Sequence, residues 1–212
     1  MRKRKDLFLA GLFFLSALSV FSEDRIVKLD GKQIVLHDDF TWEYLSRTPA
    51  EQGEALKIDL QITGTTEYTS GNGRYTLNLT DQVWSPTTGL NQEADFQFVN
   101  RDKNGFCVVL YDGFSIPLDS MKEVLIINAA NVDPNARIVE VRRCLVNGVP
   151  GELVTYTAKY ASLNFTFLTF ITNGEDCTVQ YTFYTLSNMF ERLEPDFITA
   201  ISGFRFSPAE AP

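Results

Sequence analysis

The sequence lacks the side chains and spacings on which most catalytic and metal sites depend. It has one histidine, His37, and three cysteines with no Cys-x-x-Cys pair, which removes the usual zinc and thioredoxin-type arrangements. It has no Gly-x-Ser-x-Gly elbow. Neither Gly71-x-Gly73 nor Gly148-x-x-Gly151 is followed by the lysine and helix start of a phosphate loop. We therefore predict no catalytic residues, no metal and no cofactor.

The neighbours of His37 do not change this prediction. Asp38 and Asp39 follow it directly, but one histidine and two adjacent carboxylates cannot close a tetrahedral site alone. The pattern favours a solvated strand residue.

A second short pattern imitates a calcium loop. Asn100, Asp102 and Asn104 supply oxygen donors at alternate positions, and Gly105 follows them. The position that would carry the bidentate glutamate of an EF-hand is Tyr111. The flanking residues have strand-like alternation, so the pattern predicts a tight hairpin turn.

The cysteines leave three alternatives open. Cys107, Cys144 and Cys177 all lie in apolar, strand-like runs. Buried cysteines behave as small hydrophobic residues. An exported chain can instead form one structural disulfide, and the third alternative is a reactive thiol.

Long apolar runs are also scarce. The most apolar stretch, residues 7–21, is shorter than the roughly 20 residues that cross a bilayer as a helix. Basic residues at positions 2–5 precede it and Ser22 follows it, which is typical of a secretory signal peptide. We predict a signal peptide over residues 1–22, export to the bacterial periplasm and no stable membrane insertion after cleavage. No cysteine stands at residues 18–24, so we expect no lipoprotein anchor.

Basic residues are outnumbered by acidic ones. The chain has 19 Lys and Arg against 27 Asp and Glu, for a formal net charge of −8. Such a chain lacks the positive surface that nucleic acids require. Its 44% hydrophobic and 13% aromatic residues are enough for a packed core. We expect a globular protein, no nucleic-acid partner and a monomer.

Residues 23–45 predict a small β-hairpin element. Asp30-Gly31 is a strong turn signal between two apolar strands. The string DGKQIVLHDDFTWEYL resembles a short β element of exported bacterial proteins, with Phe40 in the place of its usual glycine. This resemblance implies location more than activity.

The segment 46–73 is predicted as a linker. It is polar and contains Pro49 and Gly53, with one candidate strand at 57–63. Residues 64–73 are rich in Gly, Ser, Thr and Asn and are predicted as a loop.

The remainder, residues 74–208, predicts an α+β domain with an antiparallel β-sheet of about six strands packed by two helices. Apolar alternation and Asn-Gly turns indicate the strands. One amphipathic helix is predicted from Pro117 to Asn131. The other runs from Ser187 to Ser202, with Pro195 kinking or dividing it.

This order of elements resembles the PsbP-like (PsbP/DcrB-type) superfamily. The similarity is carried by NGVPGELVTY at 147–156 and FITAISGFRF at 197–206, within about residues 74–206. The resemblance implies a sheet between helices and an accessory, non-catalytic role. It supplies no functional residue that can be placed on this chain.

Three functions follow as hypotheses. The first is an exported, non-catalytic module that binds a protein partner or an envelope component. The second is a carrier of a small apolar ligand held by the aromatic strands. The third is a hydrolase built only from carboxylates, with candidates Glu140, Glu152, Glu175 and Asp176.

For either of the binding hypotheses, the dense aromatic strands predict a partner or ligand surface. We place Tyr160, Phe170 and Tyr184 on it.

Overall fold

The structure is a computed structural model that describes residues 54–60 and 62–207, together with the backbone of three earlier strands. The chain divides into two compact units, residues 1–52 and 53–212. The predicted signal peptide and His37 with its two aspartates lie outside the described residues. Among the residues that are described, no helix is long and apolar enough to cross a membrane.

The first unit contains a three-stranded antiparallel meander. Its strands are β1 (Arg25–Leu29), β2 (Lys32–Leu36) and β3 (Trp42–Tyr44), with β2 in the centre. β1 and β2 pair antiparallel with Leu29 opposite Lys32, and β3 adds a third strand beside β2. The turn predicted at Asp30-Gly31 lies outside the described residues.

The second unit carries the remaining strands and two α-helices. In chain order these are β4 (Leu56–Ile58), β5 (Thr65–Thr69), β6 (Tyr75–Thr80), β7 (Trp84–Pro86), β8 (Phe96–Asn100), β9 (Gly105–Asp112), α1 (Leu118–Ala130), β10 (Arg137–Val146), β11 (Val149–Tyr160), β12 (Leu163–Asn173), β13 (Thr178–Leu186), α2 (Phe190–Ile201) and β14 (Phe204–Phe206). A single 3-10 turn, Ser187–Met189, precedes α2.

Eight of these strands form one sheet, in the order β4-β10-β11-β12-β13-β9-β8-β7. All neighbours are antiparallel except β4, which runs parallel to the end of β10. A small second sheet has the order β14-β6-β5. Helix α1 packs on β11 and β12, and α2 packs on β12, β13 and β6. The predicted α+β class is confirmed.

The larger core lies between the eight-stranded sheet and α2 with the small sheet. Aromatic rings fill it: Phe183 stacks on Phe197 with centroids 5.2 Å apart, and Trp84 meets Phe183 edge-on at 5.2 Å. A smaller core lies on the opposite face, where Met121 and Leu125 of α1 pack on the sheet. We call these two sides the α2 face and the α1 face.

Two predictions about the strands are corrected. The sheet has eight strands rather than about six, because short strands pair at both of its edges. Residues 65–69, predicted as loop, form β5, which pairs with β6 around the turn at residues 70–74. The threonines that suggested a loop are β-branched and suit a strand.

Helix α2 passes through Pro195 without dividing. Since proline has no N–H, the carbonyl of Glu191 receives no helical hydrogen bond from it. The helix continues because Leu193, Phe197 and Ile201 are buried on its inner side.

Candidate binding surface

A row of aromatic side chains crosses the centre of the α1 face. Cross-strand pairing places Tyr156 of β11 opposite Phe167 of β12, Phe167 opposite Tyr184 of β13, and Tyr184 opposite Phe106 of β9. Residues directly opposite each other on one face are the contacting pairs of a sheet. We call these four residues the aromatic ladder.

The rings of the ladder stack on one another. Tyr156 and Phe167 have centroids 4.7 Å apart and planes 6° apart. The next two steps, Phe167 to Tyr184 and Tyr184 to Phe106, measure 5.4 and 5.3 Å with angles of 27° and 23°. Neighbouring rings therefore cover each other's faces and direct their edges away from the sheet. A planar ligand, which needs an open ring face, is not favoured by this arrangement.

The ladder is only partly covered. Tyr156 and Phe167 pack beside Ile126 and Ala129 of α1, and the row continues beyond that helix onto β13 and β9. Phe167, Tyr184 and Phe106 remain partly exposed.

Burial raises the pKa of Tyr184 to about 12, so its hydroxyl is protonated at neutral pH. Among the described residues, the structure records no hydrogen-bond partner for this hydroxyl. It is thus available as a donor to a bound molecule.

Further apolar side chains extend the ladder toward one end of the sheet. Strand pairing and two-residue alternation place them on the same face. With the ladder they make up the aromatic patch, whose additional members are Val99, Ile138, Ala158, Tyr160, Leu163, Phe165 and Leu186. None of the members of the patch is charged. A contiguous uncharged apolar surface on an acidic protein is typical of an interaction site.

The most exposed part of the patch is the tip of the β11–β12 hairpin. Tyr160 and Leu163 are 65% and 52% exposed. The two residues between them, Ala161 and Ser162, both have positive φ, at 47° and 72°. Two-residue hairpins with positive φ at both positions strongly favour Asn-Gly. The turn is therefore strained, and strain of this kind is found preferentially at functional positions.

The double variant A161N, S162G is expected to stabilise the domain by about 1 kcal/mol, because Asn and Gly both tolerate the left-handed conformation of this turn. Urea unfolding followed by circular dichroism measures this change. A161N alone should give part of the gain, and a double variant no more stable than the parent chain would show that the turn is not strained.

The three predicted surface residues do not lie together. Tyr184 is a step of the ladder and Tyr160 is at the hairpin tip. The surface position predicted for Phe170 is wrong. Phe170 lies on the α2 face, is fully buried, and meets Phe204 edge-on with ring centroids 5.5 Å apart. Alternation along β12 explains the difference, since Phe170 is an odd number of residues from Phe165 and Phe167 and therefore points to the other face.

The sequence analysis missed Phe106 as a surface residue. Its position depends on the pairing of β9 with β13, which are about 70 residues apart in the chain. Once that pairing is known, the period of two puts Phe106 beside Tyr184.

The carboxylates proposed for a hydrolase do not form an acid–base pair. Glu152 binds Lys122 at 2.8 Å, and Lys122 also binds Asp119. Asp176 binds Arg74 at 2.7 Å. Glu140 binds Arg142 on β10 at 3.4 Å. Glu175 is exposed. Three of these four carboxylates are therefore held in ion pairs with basic side chains of the same chain. This geometry does not favour hydrolysis.

The calcium-like pattern is a hairpin turn. The side-chain oxygen of Asn100 accepts hydrogen bonds from the backbone N–H groups of Asn104 and Gly105 at 2.9 and 3.0 Å. Its amide donates to the Asn104 side chain at 2.7 Å. The donors that would bind a cation thus stabilise the turn. Within residues 54–60 and 62–207 no cluster of metal-ligating side chains occurs.

All three cysteines are free and buried. Burial raises the pKa of each thiol, to about 12 for Cys144. A raised pKa keeps the thiol protonated and poorly nucleophilic. Of the three alternatives, the structure favours cysteines that act as small hydrophobic core residues.

The interior leaves little space for a ligand beside α2. A cleft there encloses about 30 Å³, room for only a few water-sized molecules. It is lined by Ile62, Thr80, Val83, Trp84, Asp196, Thr199 and Ala200. The stacked rings occupy the space between sheet and helix, so this geometry does not favour a carrier of apolar ligands.

A twisted sheet with one helix on each face and a small sheet beside α2 defines this unit as an α+β domain of the PsbP-like fold. The solution structure of cyanobacterial PsbP (CyanoP) from Synechocystis sp. PCC 6803 matches with a TM-score of 0.54 at 10% identity, covering 70% of this chain and 95% of that one. The resemblance predicted from the two short sequence segments is thereby confirmed at the level of the fold.

Two further solved structures are similar. LpqN, involved in cell envelope biogenesis of Mycobacterium tuberculosis, has a TM-score of 0.49 at 11% identity, covering 68% of this chain and 91% of its own. The Saccharomyces cerevisiae Ran-binding protein Mog1p has a TM-score of 0.47 at 10% identity, covering 66% and 94%. No family model matches the sequence, and no curated protein matches it significantly.

Proposed function

We propose that this chain is an exported, non-catalytic binding module that holds a protein partner in the bacterial periplasm through its aromatic patch. The observation that carries the proposal is the patch itself, an uncharged surface of aromatic and aliphatic side chains on a chain of net charge −8.

The energetics support a protein interface at this position. Each square ångström of apolar surface removed from water contributes roughly 25 cal/mol, and partly exposed aromatic rings are the side chains that most often dominate binding energies. The ladder is also preorganised, because its rings are stacked before a partner arrives, which lowers the entropic cost of binding.

The location is supported by the sequence. Basic residues at 2–5 and the apolar residues 7–21 have the order of a signal peptide. A non-catalytic role is supported by the ion pairs that occupy three of the four candidate carboxylates, and by the raised pKa of the cysteine thiols.

Two substitutions at the hairpin tip test the proposal. In cells of the source organism, cross-linking and purification of the protein are expected to recover one reproducible partner. The double variant Tyr160→Ser with Leu163→Ser is expected to reduce this recovery at least about tenfold, because truncating an interface side chain that contributes to binding costs more than about 1 kcal/mol.

Phe114→Ser is the matched control. Phe114 is 62% exposed, as large as Tyr160, and lies at the opposite end of the sheet in the connection from β9 to α1. It should leave recovery unchanged. Equal recovery with the tip variant and the parent chain, or no partner at all, would contradict the proposed function.

A further inference from the structure

One end of the eight-stranded sheet carries an excess of basic residues around the aromatic patch. The turn at residues 101–104 joins β8 to β9 at this end, and the hairpin turn at 161–162 joins β11 to β12 there. The first residue of β10 and the last of β13 lie at the same end, as their pairing shows. We call it the hairpin end.

The charged side chains of the hairpin end are mostly positive. The segments that border the patch here, residues 101–104, 133–137 and 159–162, contain four basic residues and two acidic ones. The basic residues are Arg101, Lys103, Arg137 and Lys159, and all four are exposed. The whole chain has the reverse balance, 19 basic residues against 27 acidic ones.

The positive charges are available to a partner. Within the described part of the chain, no carboxylate forms an ion pair with any of the four basic side chains. Of the two acidic residues, Asp133 is already engaged, since its carboxylate accepts hydrogen bonds from the backbone N–H groups of Asn135 and Lys159 at 3.0 and 2.8 Å. These bonds, together with the charge of Lys159, lower the pKa of Asp133, so its carboxylate is already hydrogen-bonded within the molecule.

The aromatic ladder, like the basic residues, favours a partner that presents negative charge. An aromatic ring carries a negative face and a positive edge. Because the rings of the ladder cover each other's faces, the partner meets their edges. Ring edges and the free Tyr184 hydroxyl both suit oxygen acceptors, and they disfavour cations.

We infer that the partner is a protein segment with an apolar centre and acidic flanks, an inference that rests on the proposed function. This segment binds across the ladder, with its carboxylates against the four basic residues of the hairpin end, which we call the basic rim. A second copy of this chain is disfavoured, because a symmetric contact would bring the two basic rims together. An anionic membrane is the competing class of partner.

Synthetic peptides test the inference directly. Three labelled peptides share one apolar core and carry Glu, Gln or Lys flanks, and their binding to the purified full chain is followed by fluorescence anisotropy. The Glu-flanked peptide is expected to bind about tenfold more tightly than the Gln-flanked one, since it can form several exposed charge pairs whose small contributions add up. Added salt should reduce this preference.

Charge reversal provides the controls. A single quadruple variant, R101E, K103E, R137E, K159E, should bind the Lys-flanked peptide more tightly than the Glu-flanked one. The variant K57E, R205E reverses two exposed cations on β4 and β14, away from the patch, and should keep the preference for Glu flanks.

Three outcomes overturn the inference. The first is equal or tighter binding of the Lys-flanked peptide. The second is peptide binding no stronger than that of the Tyr160→Ser, Leu163→Ser variant. The third is binding to phosphatidylcholine vesicles that contain phosphatidylglycerol, lost on charge reversal, without a preference for Glu flanks. None of them decides the proposed function, which is tested by whether recovery of the cellular partner depends on the hairpin tip.

Discussion

Gly203→Ala is expected to destabilise the domain by about 4 kcal/mol, the range of severe overpacking. Gly203 lies between α2 and β14, where its backbone passes directly over β6. A Cβ atom at this position would overlap the carbonyl oxygen of Asn78 and lie 2.9 Å from the carbonyl carbon. The obstacle is backbone, which cannot rotate away. The same approach allows the N–H of Asn78 to donate to the carbonyl of Gly203 at 3.0 Å.

Urea unfolding of the two purified proteins measures the difference. Gly71→Ala is the matched control, because a Cβ atom at Gly71 meets nothing within 4 Å, and its stability should change by less than about 0.5 kcal/mol. A Gly203→Ala variant as stable as Gly71→Ala would contradict the close approach of Gly203 to Asn78 of β6.

Asn147→Ala is expected to cost about 3 kcal/mol, the second largest effect. The Asn147 side chain connects three parts of the fold: its oxygen accepts from the N–H of Leu60 at 2.8 Å, and its amide donates to the carbonyls of Ser202 and Phe204 at 2.7 and 3.0 Å. Truncation leaves these groups without their partner, at about 1 kcal/mol or more for each buried one. Its φ of 49° adds strain to any residue that disfavours the left-handed region.

The comparison of two variants separates these causes. Asn147→Gly removes the hydrogen bonds but tolerates positive φ, so it should be more stable than Asn147→Ala while remaining well below the parent chain. Asn135→Ala is the control, since that side chain is exposed. Thermal unfolding that shows Asn147→Gly equal to the parent would contradict a role for the hydrogen bonds.

The predicted elements that depend on local pattern agree well with the structure. Helix α1 was predicted at 117–131 and occupies Leu118–Ala130, because Pro117 and the apolar spacing act within a few residues. Strands β10 to β13 follow from alternation and from Asn-Gly turns such as Asn147-Gly148. Strand β5 was missed because its threonines are typical of both loops and strands, and pairing with β6 decides between them.

The candidate binding surface was less accessible to sequence analysis. Tyr160 and Tyr184 were placed on it, but Phe170 was assigned to the wrong face. Which face of a strand is covered depends on where helices pack, and the residues of α1 and β12 that decide this are about 40 positions apart. The excess of positive charge at the hairpin end is likewise invisible in the sequence, because Arg101, Arg137 and Lys159 come together only through strand pairing.

The small sheet bears on when this domain can form during synthesis. Its middle strand β6 lies near the start of the unit and pairs with β14, the last strand described, so that Tyr75 faces Phe206 and Leu77 faces Phe204. Closing a loop of this length is entropically costly and is completed late. Until residue 206 has left the ribosome, β6 lacks one neighbour, and the rings of Tyr75 and Phe170, which both meet Phe204, lack part of their cover. With this topology, part of the core on the α2 face stays uncovered until residues 204–206 have been synthesised.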